Sequence, residues 1–270
     1  MQTAHLHGIE LEYDAVGSGE PLLLIHGGFI ADSFHSLLAE PRITSRHLAI
    51  AYHRRGYAGS SRTTGPVTIA EHAADARALL RHLDIPRAHV TGHSSGGTIA
   101  LQLALDAPDL VGSLELLEPG LIFLVPSGPA FLERLLSLRE TYRYGDREGA
   151  LDGFLSGIAG PEYRELIRKF LPPGAFDLAV ADARTSFEVE LEALQRWRFT
   201  AEDAGRIRQP LLSVIGEESE PIFEEVRSLL QQWMPHAEEL VVPQANHALQ
   251  FMNPKAVADG LARFLEQHPL

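Results

Sequence analysis

Over the first 120 residues, short apolar runs alternate with stretches whose apolar positions recur every three or four residues. Ile9–Val16 reads as a strand and ends at the turn Gly17-Ser18-Gly19. Pro21–Ile25 is an unbroken aliphatic run, the pattern of a strand covered on both faces. His47–Tyr52 is a further strand. Thr68–Leu83 has helical spacing, with Ile69, Ala73, Ala76, Leu79, Leu80 and Leu83 on one side and charges opposite, until Pro86 stops it. Ala88–Thr91 is a short strand, Ser95–Leu105 a helix of small residues that can pack closely on a sheet, and Ser113–Leu117 the next strand. The alternation resumes late in the chain, with strands Leu211–Ile215 and Glu239–Val242 and helices Phe223–Trp233 and Pro254–Glu266. Strands and helices joined by short links predict an α/β fold with a mostly parallel sheet and helices on both faces.

The stretch from Leu121 to Arg206 has another texture. It carries helical patterns and no convincing strand, and prolines and glycines cut it into Pro129–Tyr144, Asp146–Ile158, Pro161–Phe170 and Phe176–Arg198. Because the strand pattern returns directly afterwards, these helices are expected to form a cap inserted over the sheet's C-terminal edge. The expected division is a core of residues 1–120 and 207–270 and a cap of 121–206. No fixed-period repeat or low-complexity tract is present.

Chemistry concentrates in Val90-Thr91-Gly92-His93-Ser94-Ser95-Gly96-Gly97. Gly92-x-Ser94-x-Gly96 between a strand and a helix is the context of a nucleophile elbow. The tight turn needs small residues two before and two after the serine, lifts its hydroxyl above the sheet, and aims the following helix N-terminus at developing negative charge. His26-Gly27-Gly28 closes the Pro21–Ile25 strand, where backbone can approach a substrate. The N–H groups of Gly28 and Ser95 form the expected oxyanion hole. Of 13 histidines, His247 is singled out by its loop after the last strand, which places the base last in chain order. His26 and His93 are expected to pack or orient. Phe29 and Trp197 are the expected substrate contacts, and Leu121, Ile122, Phe123, Leu124, Phe131 and Phe154 suggest an apolar pocket.

Composition narrows the field. The 270 residues contain no cysteine, which removes disulfides, thiolate catalysis and Cys-ligated zinc and fits a reducing cytoplasm. The net charge of −13 argues against a nucleic-acid partner, since the only dense basic patch is Arg54-Arg55 with Arg62 nearby. No signal-peptide pattern opens the chain and no apolar stretch is long enough to span a bilayer, so no membrane partner is expected. The histidines show no His-Glu-x-x-His or comparable spacing, so no metal and no cofactor are expected. A homodimer is compatible with all of this.

These motifs, in this order, resemble the α/β-hydrolase superfamily over essentially the whole chain. The segment Ala51–Ser61 is similar to its D-x-R-G-x-G-x-S loop, with His53 where the superfamily usually carries Asp. The resemblance implies a helical cap after the sixth strand and an acid that orients His247. Most relatives place that acid in a G-x-x-D loop after the strand corresponding to Leu211–Ile215. Here Gly216-Glu217-Glu218-Ser219 puts a neutral hydroxyl there. Two alternatives follow. The Glu217, Glu218 and Glu220 cluster is one. The other, favoured, is Glu118, at the edge of the preceding strand and before Pro119. The fungal zearalenone lactone hydrolases look alike in this respect, with a Ser-Ser-Gly-Gly elbow and an acid 24 residues after the nucleophile, the separation of Glu118 from Ser94. One subgroup of haloalkane dehalogenases shares that acid position but uses an Asp nucleophile, which Ser94 excludes. The expectation is a cofactor-free serine hydrolase of a small-molecule ester or lactone, working through Ser94, His247 and Glu118. Its rivals are a C–C bond hydrolase or peroxidase-like relative of the same fold, and a low-turnover ligand receptor.

Overall fold

The computed structural model describes residues 1–270. Its strands are β1 (Gln2–Leu6), β2 (Ile9–Gly17), β3 (Glu20–Ile25), β4 (His47–Tyr52), β5 (Ala88–His93), β6 (Val111–Leu117), β7 (Leu211–Gly216) and β8 (Glu238–Val242). They form one sheet in the order β1-β2-β4-β3-β5-β6-β7-β8. From β3 to β8 every pairing is parallel, while β1–β2 and β2–β4 are antiparallel. This is the mostly parallel α/β sheet that the strand and helix pattern predicts, in the α/β-hydrolase architecture that the resemblance implies.

Period-two alternation divides the core. Leu22 and Leu24 of β3 pack on one face of the sheet with Phe34, Leu37, Val257, Leu261 and Phe264. Leu23 and Ile25 face the other way, toward Ile69, Leu79, Ile99 and Phe223. Strands buried on both faces therefore read as continuous aliphatic runs. β1 is the strand the apolar pattern missed. Its inward residues are only Ala4 and Leu6, and it joins β2 through a two-residue hairpin in which His7 and Gly8 both have positive φ (46° and 87°).

Before β6 lie α1 (His35–Leu38), α2 (Pro41–Thr44), α3 (Ile69–His82) and α4 (Ser95–Asp106). Thr68 begins α3 with a reciprocal capping box to Glu71. Between β6 and β7 the chain is helical throughout: α5 (Gly128–Arg143), α6 (Arg147–Ala159), α7 (Tyr163–Phe170), α8 (Ala175–Arg184), α9 (Leu191–Arg196) and α10 (Ala201–Arg206). The sequence predicts a single helix over Phe176–Arg198. The structure instead inserts a π-helical segment, Thr185–Glu190, between α8 and α9, and Trp197 lies just past the end of α9. The last helices are α11 (Pro221–Trp233), α12 (Leu249–Met252) and α13 (Pro254–Gln267). No helix is long and apolar enough to cross a membrane.

Strand order fixes where a site can form. The chain leaves β3 for β4 on one side, then returns to pair β5 on the other. Such a reversal opens a crevice at the C-terminal ends of the two strands where it occurs. Here those ends carry His26–Phe29 and Ser94.

Candidate active site

Ser94 sits between β5 and α4 with φ 51° and ψ −123°, a conformation that L-residues rarely adopt. The sequence makes this turn because its flanks carry no side chains. A Cβ on Gly92 would run into the Gly96 carbonyl, and one on Gly96 into the Ile25 carbonyl. Backbone bonds hold the turn: Ser94 N–H donates to the Leu117 carbonyl (3.0 Å), and the Ser94 carbonyl accepts from Gly97 (2.9 Å), Gly120 (2.8 Å) and, more weakly, Thr98 (3.4 Å). Strain of this kind is retained only where the surroundings over-determine it.

One carboxylate meets His247 directly. Glu118 Oε2 accepts a hydrogen bond from His247 Nδ1 at 2.7 Å, and both side chains are buried. Its other oxygen, Oε1, accepts from Gly216 N–H at 2.8 Å and from the Ser219 hydroxyl. Ser219, at the position where relatives carry the acid, therefore grips the carboxylate delivered from β6. Glu118 itself has positive φ (43°), which turns its side chain off the strand end. Glu217 accepts from Gln244 N–H and Glu220 pairs with Arg134, so those two carboxylates of the competing cluster are engaged elsewhere. With Nδ1 donating to a carboxylate, His247 presents Nε2 as its free lone pair. Phe223, one turn into α11, stacks on the imidazole (ring centroids 4.2 Å apart, planes 14° apart).

The flanking histidines orient backbone. His93 Nε2 donates to the His247 carbonyl (2.8 Å) and its Nδ1 accepts from the Gln250 amide (3.2 Å). Burial holds His93 well below the usual imidazole range, reinforced by neighbouring His247, so it stays neutral as that pattern requires. His26 Nδ1 donates to the Gly27 carbonyl (2.7 Å) and Nε2 accepts from Arg54 N–H (3.0 Å). The Gly28 and Ser95 N–H groups have no acceptor within the protein, and both residues line the cavity that Ser94 and His247 also line. Ser94 Oγ makes no hydrogen bond to His247 in this structure; the two meet across that shared cavity.

A family model for the alpha/beta hydrolase fold matches residues 20–254. The chain belongs to that family. It is 27% identical, over 99% of its length and 70% of the relative's, to the dihydrolipoyllysine-residue acetyltransferase component of the acetoin cleaving system of Pseudomonas putida. Among solved structures it is similar to a thermophilic esterase from Thermogutta terrifontis, with TM-score 0.84 and 20% identity over the whole of both chains. It is also similar to Est816, described as an N-acyl homoserine lactone degrading enzyme, with TM-score 0.75 and 25% identity over 97% of this chain and 100% of the other. The family match supports a hydrolase.

In this alpha/beta hydrolase Ser94, Ser95, Gly28 and His247 all line one cavity. Its walls are mainly apolar. Ile122, Phe131 and Phe154 line it, as the pattern of the insertion suggests, whereas Leu121, Phe123 and Leu124 do not. Phe29 lines it too, with positive φ (66°), packed between Phe154 (4.3 Å) and Phe187 (4.8 Å). Trp197, the other expected substrate contact, is placed differently. It lies outside this cavity, donates its indole N–H to Gln102 on α4 (2.7 Å) and stacks on Phe199.

His53, which replaces the family's Asp, bridges Glu12 (3.1 Å) and Asp32 (3.0 Å) through its two ring nitrogens. Burial opposes its charge, yet hydrogen bonds and attraction from Asp32 and Glu12 outweigh that and raise its pKa. Sequence reasoning also missed Ser219 and Phe223. A hydroxyl standing in an acid's position was the available signal for the first, and none existed for the second.

Proposed function

We propose that this hydrolase cleaves carboxylic esters or lactones, without a cofactor, through an acyl-enzyme on Ser94. The observation that carries the reading is the buried 2.7 Å contact between His247 Nδ1 and Glu118, with Ser94 facing the same cavity. His247 Nε2 takes the Ser94 proton as Oγ attacks the substrate carbonyl. The Gly28 and Ser95 N–H groups hold the tetrahedral oxyanion, and Glu118 stabilises the imidazolium. His247 then protonates the departing alkoxide. Water, deprotonated by the same imidazole, releases the acid and restores Ser94. Residues 121–206 act as a cap on the core of 1–120 and 207–270. They exclude water and select a largely apolar substrate through Phe131, Phe154 and Phe187. A reducing cytoplasm is the compartment we propose for it, with which a cysteine-free chain is compatible.

The test is a panel of aryl esters and lactones of increasing acyl length, assayed with the purified protein. Turnover that rises as the acyl group fills the cavity is the expected result. No hydrolysis of any ester or lactone would overturn the reading and favour the C–C hydrolase or receptor alternatives.

A further inference from the structure

One buried polar network beside the candidate site has no part in proton transfer. Arg54, at the end of β4, is 1% exposed. Its guanidinium reaches three things at once: the Glu190 carboxylate, the Gly27 carbonyl (2.8 Å) and the Ser95 hydroxyl (3.4 Å). Glu190 comes from the π-helical segment between α8 and α9, and its second oxygen accepts from the Tyr57 hydroxyl (2.6 Å). Tyr57 oxygen lies 2.8 Å from the Ser186 hydroxyl, and Ser186 Oγ in turn accepts from Phe29 N–H (2.8 Å). Counting protons orients the chain: with Tyr57 donating to Glu190, Ser186 must donate to Tyr57. Burial and the adjacent Glu190 charge push the Tyr57 hydroxyl well above its ordinary range, so it keeps that proton.

The network touches both residues whose N–H groups face the cavity, without using either N–H. Gly28 is held from both sides, through the Gly27 carbonyl on Arg54 and the Phe29 N–H on Ser186. Ser95 is held through its side chain. Glu190 and Ser186 also close over Gly28, where an added Cβ would stand 3.3 Å from Glu190 Oε2 and 3.5 Å from Ser186 Oγ. A π-helical turn offers a physical reason for this reach, since one extra residue in the turn rotates Ser186 and Glu190 relative to a continuous α-helix. A carboxylate this close to a developing oxyanion would oppose it unless a fixed cation neutralised it.

We infer that Arg54 and Glu190 form a latch between the inserted helices and the core, which positions the Gly28 and Ser95 N–H groups and cancels the Glu190 charge beside them. The inference rests on the serine chemistry proposed above. Arg54 is a positioning residue, because it touches the hole's backbone and not the reacting atoms. The Arg54→Lys change keeps the charge and loses the fork that spans Glu190, Gly27 and Ser95.

The experiment measures kcat, KM and the rate of Ser94 phosphonylation by a fluorophosphonate for wild type, Arg54→Lys, Glu190→Gln and the control Arg62→Met. Arg62 makes a separate ion pair between the core and the insertion, to Asp182, and touches neither Gly28 nor Ser95. Arg54→Lys is expected to lower kcat and phosphonylation together, about 10- to 100-fold, with KM within about threefold, as for a hole displaced by a fraction of an ångström. Glu190→Gln should lower both about 3- to 20-fold, and it carries the test if Arg54→Lys does not fold by circular dichroism. Arg62→Met should lower the melting temperature and leave kcat unchanged. Phosphonylation reads the hole whatever the natural substrate. Slow phosphonylation of the folded latch variants therefore supports the latch even if no ester is turned over. Rates within twofold of wild type overturn it and leave the ester reading standing. A wild-type Ser94 that resists phosphonylation overturns both.

Discussion

Two clusters of serine, histidine and glutamate lie along β5 and β6, one at their C-terminal ends, where the loop after β8 adds His247, and one nearer their N-terminal ends. At the first, Glu118 fixes His247, and Ser94 stands half exposed in a strained turn beside a cavity and two unpaired N–H groups. At the second, His89 Nδ1 lies 2.7 Å from Ser113 Oγ, Ser113 contacts Glu115, and Thr91 donates to the same carboxylate at 2.8 Å. All four of these side chains are buried. The residue types match and the arrangement does not. In the second cluster serine is the middle link, with both neighbours engaged, and none of the four residues lines the cavity. Reactivity follows from an accessible hydroxyl, a base held by a carboxylate, and donors left free for an oxyanion.

The comparison sharpens first at the two serines. Ser94→Ala is expected to cut turnover about 10⁴-fold or more, while Ser113→Ala leaves kcat within about threefold and shows its effect in the melting temperature. Esterase assays and a thermal melt of both variants check this.

At the carboxylates, Glu118→Gln keeps the volume and removes the charge that stabilises the imidazolium. Its kcat should fall about 10²- to 10⁴-fold with KM changing far less. Gln at 217, 218 or 220 should each leave turnover within about threefold, as for exposed or separately paired carboxylates. Ser219→Ala is milder. It removes one of two donors from Glu118 Oε1 while Gly216 N–H remains, so a 3- to 30-fold loss in kcat is expected, of the size of one hydrogen bond.

Glu115 tests the buried cluster through stability. Burial raises its pKa from 4.5 to about 7, although hydrogen bonds from Ser113 and Thr91 pull the other way. Between those two pH values the folded carboxyl keeps a proton that the unfolded chain releases, so stability falls as pH rises through the window. Glu115→Gln does not titrate there. It should remove that slope, gaining on the order of 1–3 kcal/mol relative to wild type on going from pH 4.5 to above pH 7. Denaturant titrations at several pH values measure it, and kcat should stay within about twofold.

How much of this the sequence discloses depends on distance along the chain. The elbow is legible because its cause is local: a tight turn admits only small residues at 92 and 96. β3 is legible because burial on both faces writes an unbroken aliphatic run, and β4 to β7 as short, mainly apolar segments set between helical patterns. Glu118 could be picked out because Ser219 broke a pattern and a carboxylate stood at the neighbouring strand's end. β1 escaped because it offers the core only Ala4 and Leu6, and its His7-Gly8 turn is less marked than Asn-Gly. α10 was missed although Thr200 and Asp203 form a capping box. The inserted helices were legible as helices and not as a surface. A π-helical turn shifts Ser186 and Glu190 toward Gly28, and Trp197 turns to Gln102, neither of which helical spacing encodes. Arg54 and Glu190 lie 136 residues apart, and only the folded chain brings them together.

The central claim is that Ser94 is activated by a histidine held from β6. The most direct measurement is the site and rate of fluorophosphonate labelling, mapped by peptide mass spectrometry in wild type and in Glu118→Gln. One adduct is expected, on the peptide bearing Ser94, forming at least about 10²-fold more slowly in the variant. An adduct on Ser113 or another serine, or labelling of Ser94 at the same rate in Glu118→Gln, would contradict it.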